Sequence, residues 1–185
     1  KAKDVAVNES NWQPETPVTT KISILKKVLI NEVQIDSLVG TGGTNDDWVE
    51  LYNPGDMDVD ISQWSIQRSP ESGVIDKKNF VAGNIIKSNG YFLIVRNTAN
   101  QGLLDIADMT ASALQLSQDS TVYLVRDQIN IEDGNDLDIV DKVGFGTAKD
   151  FETIPALNPP EAKSIERKKL GQDTDDNSQD FRISN

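Results

Sequence analysis

The residues best suited to chemistry are oxygen donors bunched in two stretches. Asp173, Asp175 and Asn177 alternate along DTDDN, and Asp180 follows three residues later. A hard cation such as Ca²⁺ takes six to eight oxygens, and a D-x-D-x-N run supplies three from one loop. The helix-flanked calcium loop also wants Gly at its sixth position and Glu at its twelfth. Counted from Asp173, those positions hold Ser178 and Ser184, so the fit is partial. The alternative is a solvated turn in which Asp and Asn accept hydrogen bonds from nearby backbone amides. The second stretch, EDGNDLD, sets Asp133, Asn135, Asp136 and Asp138 ahead of a strand-like run. Calcium is a candidate there too, against a polar hairpin connection that keeps a sheet edge charged. Glu32 and Glu50 could act as acid and base in glycoside hydrolysis. The better reading is that each accepts hydrogen bonds from backbone or hydroxyl groups where strands leave the sheet. Asp58 and Asp60 share one strand face as a solvent-facing stripe.

Composition closes other routes. The 185 residues contain no Cys and no His. That excludes a disulfide framework, a Cys nucleophile, a Ser-His-Asp triad and His-ligated zinc or haem. Eighteen Lys and Arg stand against 30 Asp and Glu, a formal net charge of -12. Such a chain repels phosphate backbones, so no nucleic acid is expected to bind this domain alone. No apolar run approaches the roughly 18 residues needed to span a bilayer, so membrane insertion is not expected. The Gly-rich loop at 40–44 lacks the Gly-Lys-Ser/Thr ending of a phosphate-binding loop. It reads as a strand connection. Trp48, Trp64 and Tyr91 read as core or rim aromatics, and Arg167, Lys168 and Lys169 as a small basic strand end.

The elements that must carry these residues are short strands. Residues 1–20 mix Pro14, Pro17 and several Thr with the single aromatic Trp12, the composition of a flexible linker or arm. From residue 21 the chain becomes rich in β-branched residues, which suit a pleated surface. Strand-like runs follow at 48–53, 59–67, 79–81, 91–96, 113–117, 121–126, 138–144 and 164–167. Turn chemistry separates them: Asn53-Pro54-Gly55-Asp56, Asn89-Gly90 and Asp133-Gly134-Asn135-Asp136. The best helical stretch is 98–104. Many short strands with turns between them argue for an all-β sandwich of two antiparallel sheets, here spanning 21–185. In WVELYN one face carries Trp48, Glu50 and Tyr52 and the other Val49, Leu51 and Asn53. TVYLVR and YFLIVR are apolar on both faces, which predicts cover on both sides by a partner sheet and by a loop or neighbouring chain.

The strings VLINEVQI (28–35), DWVELYN (47–53) and VDISQWSI (59–66) resemble the opening of lamin-tail domains. GYFLIVR (90–96), LQLSQDSTVYLVR (114–126), IVDKVGFG (139–146) and the closing SIERKKLGQDTDDNSQDF (164–181) continue the resemblance in order. It implies an immunoglobulin-like β-sandwich. Bacterial members of that family are usually secreted or surface-associated modules, often joined to nucleases or adhesion repeats. The chain has no coiled-coil rod and no nuclear-localisation cluster, which separates it from the filament-forming nuclear lamins.

The expectation is therefore a non-enzymatic structural or interaction module, extracellular or at the cell surface, that binds protein or cell-surface ligands and is open to self-association. Such a placement carries with it the expectation of a leader upstream of Lys1. The alternatives are an accessory domain of a secreted enzyme such as a nuclease, or a carbohydrate-binding sandwich with structural calcium.

Overall fold

The computed structural model describes residues 27–35, 46–70, 73, 75–117, 119–160 and 163–184. The linker at 1–20, Trp12 and the Gly-rich loop at 40–44 lie outside them. Twelve strands and two short helices occur among the described residues. In chain order they are β1 (Leu29–Gln34), β2 (Trp48–Tyr52), β3 (Val59–Asp60), β4 (Ser65–Ser69), β5 (Asp76–Asn79), β6 (Ile85–Ile86), β7 (Tyr91–Arg96), α1 (Gln101–Ile106), β8 (Met109–Ala111), β9 (Thr121–Val125), β10 (Ile139–Gly144), β11 (Ser164–Arg167), α2 (Asn177–Asp180) and β12 (Phe181–Ile183).

One sheet has six strands in the order β12-β11-β1-β2-β7-β8, and the other has four in the order β10-β9-β4-β5. β3 and β6 form a separate two-stranded ribbon. All pairings are antiparallel but the last of the large sheet, where β8 runs parallel to β7. Parallel neighbours need a crossover rather than a hairpin, and α1 supplies it. Asn100 starts that helix by accepting the Leu103 N–H at 3.1 Å.

The core lies between the sheets. Val33, Val49, Leu51, Ile94 and Ile165 from the large sheet meet Ile66, Val122, Leu124 and Val143 from the small one. Phe80 and Phe92 close it edge-to-face, with centroids 5.7 Å apart. The inward set of β2 is as the alternation predicts: Val49 and Leu51 are fully buried, as is Asn53 just beyond the strand. Asn53 also fixes the Pro-Gly turn after it. Its Nδ2 donates to the carbonyls of Met57, Ile86 and Lys87, and its Oδ1 accepts from the Gly55 N–H.

The doubly apolar β9 has the cover its composition asks for. On its outer face Tyr123 and Val125 pack with Ile131 from the connection that leads to β10. Gln67 of β4 pins that connection, donating to the Ile129 carbonyl at 2.6 Å and accepting from the Ile131 N–H at 3.1 Å.

Three expected strands differ from the structure. The run at 59–67 divides into β3, a turn and β4. The run around 79–81 is β5, which ends at Asn79. The run at 113–117 is not a strand, although Leu114 and Leu116 are buried in the core. A side chain takes the place of a strand neighbour there: Asp47 Oδ2 accepts the Leu116 N–H at 3.1 Å and the Arg96 guanidinium at 3.0 Å.

Candidate functional site

Two groups of carboxylates stand out, one on the outer face of the large sheet and one at the edge where the sheets meet. The first follows from register. Glu32 lies opposite Glu166 on one side and Glu50 on the other. Glu50 in turn faces Leu93, and Glu166 faces Arg182. The inward neighbours Val33, Leu51 and Ile165 are buried, so alternation turns this row outward. Tyr91, tilted against Tyr52 with centroids 4.8 Å apart, flanks the row on one side, and half-buried Trp48 flanks it on the other.

The hydrogen bonds of the row are neutral except at one end. Arg182 donates to Glu166 at 2.9 Å. Glu32 accepts from the Ser164 hydroxyl, and Glu50 from the Asn31 amide at 2.8 Å. The hydroxyl donor to Glu32 agrees with expectation, but both glutamates sit mid-strand rather than at strand exits. Partial burial raises the Glu32 carboxyl above its ordinary range, and Glu50 and Glu166 push the same way. Burial raises Glu50 too.

The second group begins with a break in β1. A β-bulge between Ile30 and Glu32 leaves the backbone of Ile30 to be matched by side chains. Asp141 of β10 accepts the Ile30 N–H at 2.7 Å through Oδ2, and Arg167 of β11 donates Nε–H to the Ile30 carbonyl at 2.8 Å. Arg167 also reaches the same Asp141 oxygen at 2.9 Å. Its Nη1 donates to the Gln172 carbonyl and approaches Asp173 at 3.4 Å and Asp180 at 3.3 Å. The guanidinium lies over Phe181, 4.8 Å from the ring centroid.

Glu152 is brought to this cluster by close chain approach. A side chain at Gly144 would place its Cβ 2.1 Å from the Asp150 carbonyl oxygen. Glycine therefore lets residues 150–152 lie directly on β10. Asn177 fastens them there. Its Oδ1 accepts the N–H groups of Gly144 and Glu152 at 3.0 and 3.1 Å. Its Nδ2 donates to the Lys142 carbonyl and to Glu152 Oε2 at 3.1 and 2.9 Å. The amide thus behaves as a one-residue neighbour for the outer edge of β10.

Among the described residues, Asp141, Glu152 and Asp173 are the group that could hold a metal ion. Each offers a carboxylate oxygen, all within 4.8 Å of one another. Burial, then the charges of Asp141 and Asp173, pushes Glu152 up to about 8. Burial pushes Asp141 up to about 6 against the pull of Arg167. Asp173 resists its own burial and stays below the ordinary range, held by Lys27 and Arg167.

Of the residues predicted from spacing, Asp173 alone joins that trio. Asp175 sits at φ 55° in an exposed turn, its N–H donating to Asp173 Oδ1 at 3.3 Å. Asn177 is used as just described. Asp180 accepts the Thr174 N–H at 2.9 Å and the Thr174 hydroxyl at 2.8 Å. In the other stretch, Asp133 accepts the Asn135 N–H and Asp136 accepts the Asp138 N–H, at 2.7 and 2.9 Å. These are consecutive Asx turns within the β9–β10 connection.

The family model described as Lamin Tail Domain matches residues 25–147, more than half of the chain. The chain belongs to the lamin tail domain family. No curated protein matches it. The fold of this lamin tail domain is the immunoglobulin-like sandwich that the resemblance implied. β11 and β12 lie beyond the match, yet β11 pairs with β1 and β12 with β11, so they complete the same sheet. Glu152, Arg167, Asp173 and Asn177 also lie beyond it, so membership alone would not have drawn attention to them. A signal was present in the strands. Arg167 alternates with Ile165, and Asp141 with Val143, which sets an arginine and an aspartate on core-facing positions.

These shifts give a pH dependence. Glu152 and Asp141 hold protons in the folded domain that the unfolded chain has released. The stabilisation is therefore complete below about pH 4 and is lost as pH rises through about 6 and then about 8. Glu152 keeps part of its surface in water, so screening reduces the effect to about 1–3 kcal/mol. Urea unfolding in chelator should give a higher midpoint at pH 5 than at pH 8.5, and the reverse order would contradict this assignment.

Proposed function

We propose that this lamin tail domain is a non-enzymatic interaction module, working outside the cell or at its surface, that binds a protein partner with the outer face of its six-stranded sheet. The observation that carries the reading is the register of Glu166, Glu32 and Glu50 on three adjacent strands. Like charges placed directly opposite one another weaken a sheet. Here Arg182 supports the outermost of the three, while Glu32 and Glu50 receive neutral donors. A partner bringing Lys or Arg would supply the missing charge. Leu93 and the flanking aromatics Tyr91 and Trp48 would supply the apolar contact typical of an interface centre.

Strand addition is less favoured. β5 carries Lys77 and Lys78, residues that discourage edge pairing, and Asn177 occupies the outer side of β10. The extracellular placement rests on the resemblance to secreted bacterial members.

The test is a displayed random-peptide library panned on the whole chain. Recovered peptides should be rich in Lys and Arg and should bind the Glu32→Gln/Glu50→Gln/Glu166→Gln variant about tenfold more weakly, roughly 1.4 kcal/mol. Peptides without a basic excess, or equal binding to the variant, would overturn the reading. Glycan binding lost on Tyr91→Ala would replace the protein partner with a carbohydrate.

A further inference from the structure

We propose that Asp141, Glu152 and Asp173 form a binding site for one divalent cation of the calcium class. Acidic groups gather on many surfaces without an ion, and three neighbouring carboxylates alone would not support the claim. The deciding feature is Asp141. Its side chain is 0% exposed. Its Oδ2 is committed to Ile30 and Arg167, while its Oδ1 is sealed from solvent with no hydrogen-bond partner among the described residues. Buried polar atoms are nearly always paired, and an unpaired oxygen on a carboxylate is especially costly. A cation beside Oδ1 supplies the missing partner.

The geometry agrees. The three offered oxygens lie within 4.8 Å of one another. Oxygens that share one ion at about 2.3–2.6 Å stand no further apart than roughly twice that distance. An all-oxygen set selects a hard ion such as Ca²⁺, Mg²⁺ or Mn²⁺ over zinc or copper. The local charge agrees as well. Four carboxyl groups, those of Asp141, Glu152, Asp173 and Asp180, gather around only two cations, Arg167 and Lys27. Arg167 is fixed by the Ile30 and Gln172 carbonyls. Lys27, which pairs with Asp173 and remains solvent-accessible, is the one that would compete with an incoming ion. This site keeps Asp173 of the D-x-D-x-N run but draws its other ligands from β10 and from the loop after it. It does not depend on the glutamate face.

The experiment uses the whole chain stripped of metal and titrated with calcium chloride, followed by calorimetry and thermal unfolding. One ion should bind in the about 10⁻⁴–10⁻³ M range of extracellular modules, with the unfolding midpoint rising as calcium is added. Glu152→Gln should weaken binding about tenfold or more. Lys27→Ala, which removes the ammonium paired with Asp173, should tighten it. Asp133→Asn, in the separate Asx-turn loop, should leave it unchanged. Should Glu152→Gln not fold, Asp173→Asn carries the same test. Absence of heat and of any midpoint shift with millimolar calcium, magnesium or manganese would overturn the proposal. So would full affinity in folded Glu152→Gln, or loss of binding in Asp133→Asn.

Discussion

Arg167→Leu should cost the domain about 3–5 kcal/mol, the range seen when one partner of a buried ion pair is removed. The side chain of Arg167 is 1% exposed and that of Asp141 is 0%. Without the guanidinium, Asp141 keeps the Ile30 N–H but loses its cation, and the Ile30 carbonyl loses its donor. Asp173 and Asp180 also lose a shared positive neighbour, and Phe181 loses the group stacked on it. The effect therefore reaches β1, β10, β11 and the turn before α2 together. Lysine is not an adequate replacement. Its single ammonium cannot serve the Ile30 carbonyl, the Gln172 carbonyl and Asp141 in the planar arrangement that arginine offers. Replacing the pair as Arg167→Met with Asp141→Leu should recover part of the loss by removing the stranded charge. Recovery stays incomplete because both backbone groups of Ile30 remain unmatched. Urea unfolding of the three chains measures this. A loss below about 1 kcal/mol in Arg167→Leu would place the pair among ordinary surface ion pairs.

Asn177→Ala should cost about 2–4 kcal/mol, from several hydrogen-bonding groups left without partners at once. The side chain is fully buried and both of its polar atoms are doubly used. Removing it strands the Gly144 N–H and the Lys142 carbonyl on the outer edge of β10, and frees residues 150–152 from that edge. Water reaches half-buried Glu152 and compensates there in part. Asn177→Asp separates donor from acceptor: it keeps the bonds from Gly144 and Glu152 N–H but brings a carboxylate against Glu152. That variant should lose more stability at pH 8.5 than at pH 5. Amide exchange at Gly144 reports the change locally, and its protection should collapse in Asn177→Ala. Wild-type protection at Gly144 would show that the edge is closed by something else.

Local chemistry made much of the sandwich legible in the sequence. β7 runs over the whole stretch YFLIVR. The Asn53-Pro54-Gly55 turn is held by the Asn53 side chain, and Asn89 takes the positive φ that its turn requires. The two faces of β2 follow from alternation alone. What could not be read depends on distant partners. Residues 113–117 look like a strand because Leu114 and Leu116 point inward, but Asp47 holds the Leu116 amide. Asn177 sits in a run with ligand spacing, yet its amide is drawn to β10, and Asp176 instead caps a single helical turn. Arg167 lies beside two lysines and reads as part of a basic strand end, whereas strand alternation turns it toward Asp141 and Ile30. The outward glutamate row was equally hidden, because register between strands distant in sequence is set by the whole sheet.

The claim that the glutamate row serves binding rather than folding is tested most directly by unfolding the Glu32→Gln/Glu50→Gln chain beside the wild type at neutral pH. Glutamine retains the oxygen acceptors for Ser164 and Asn31 while removing two adjacent charges. The expected result is a variant more stable by about 0.5–1 kcal/mol, with binding to basic peptides weakened. A variant less stable than the wild type would mean that the row holds the sheet together, and would contradict the account.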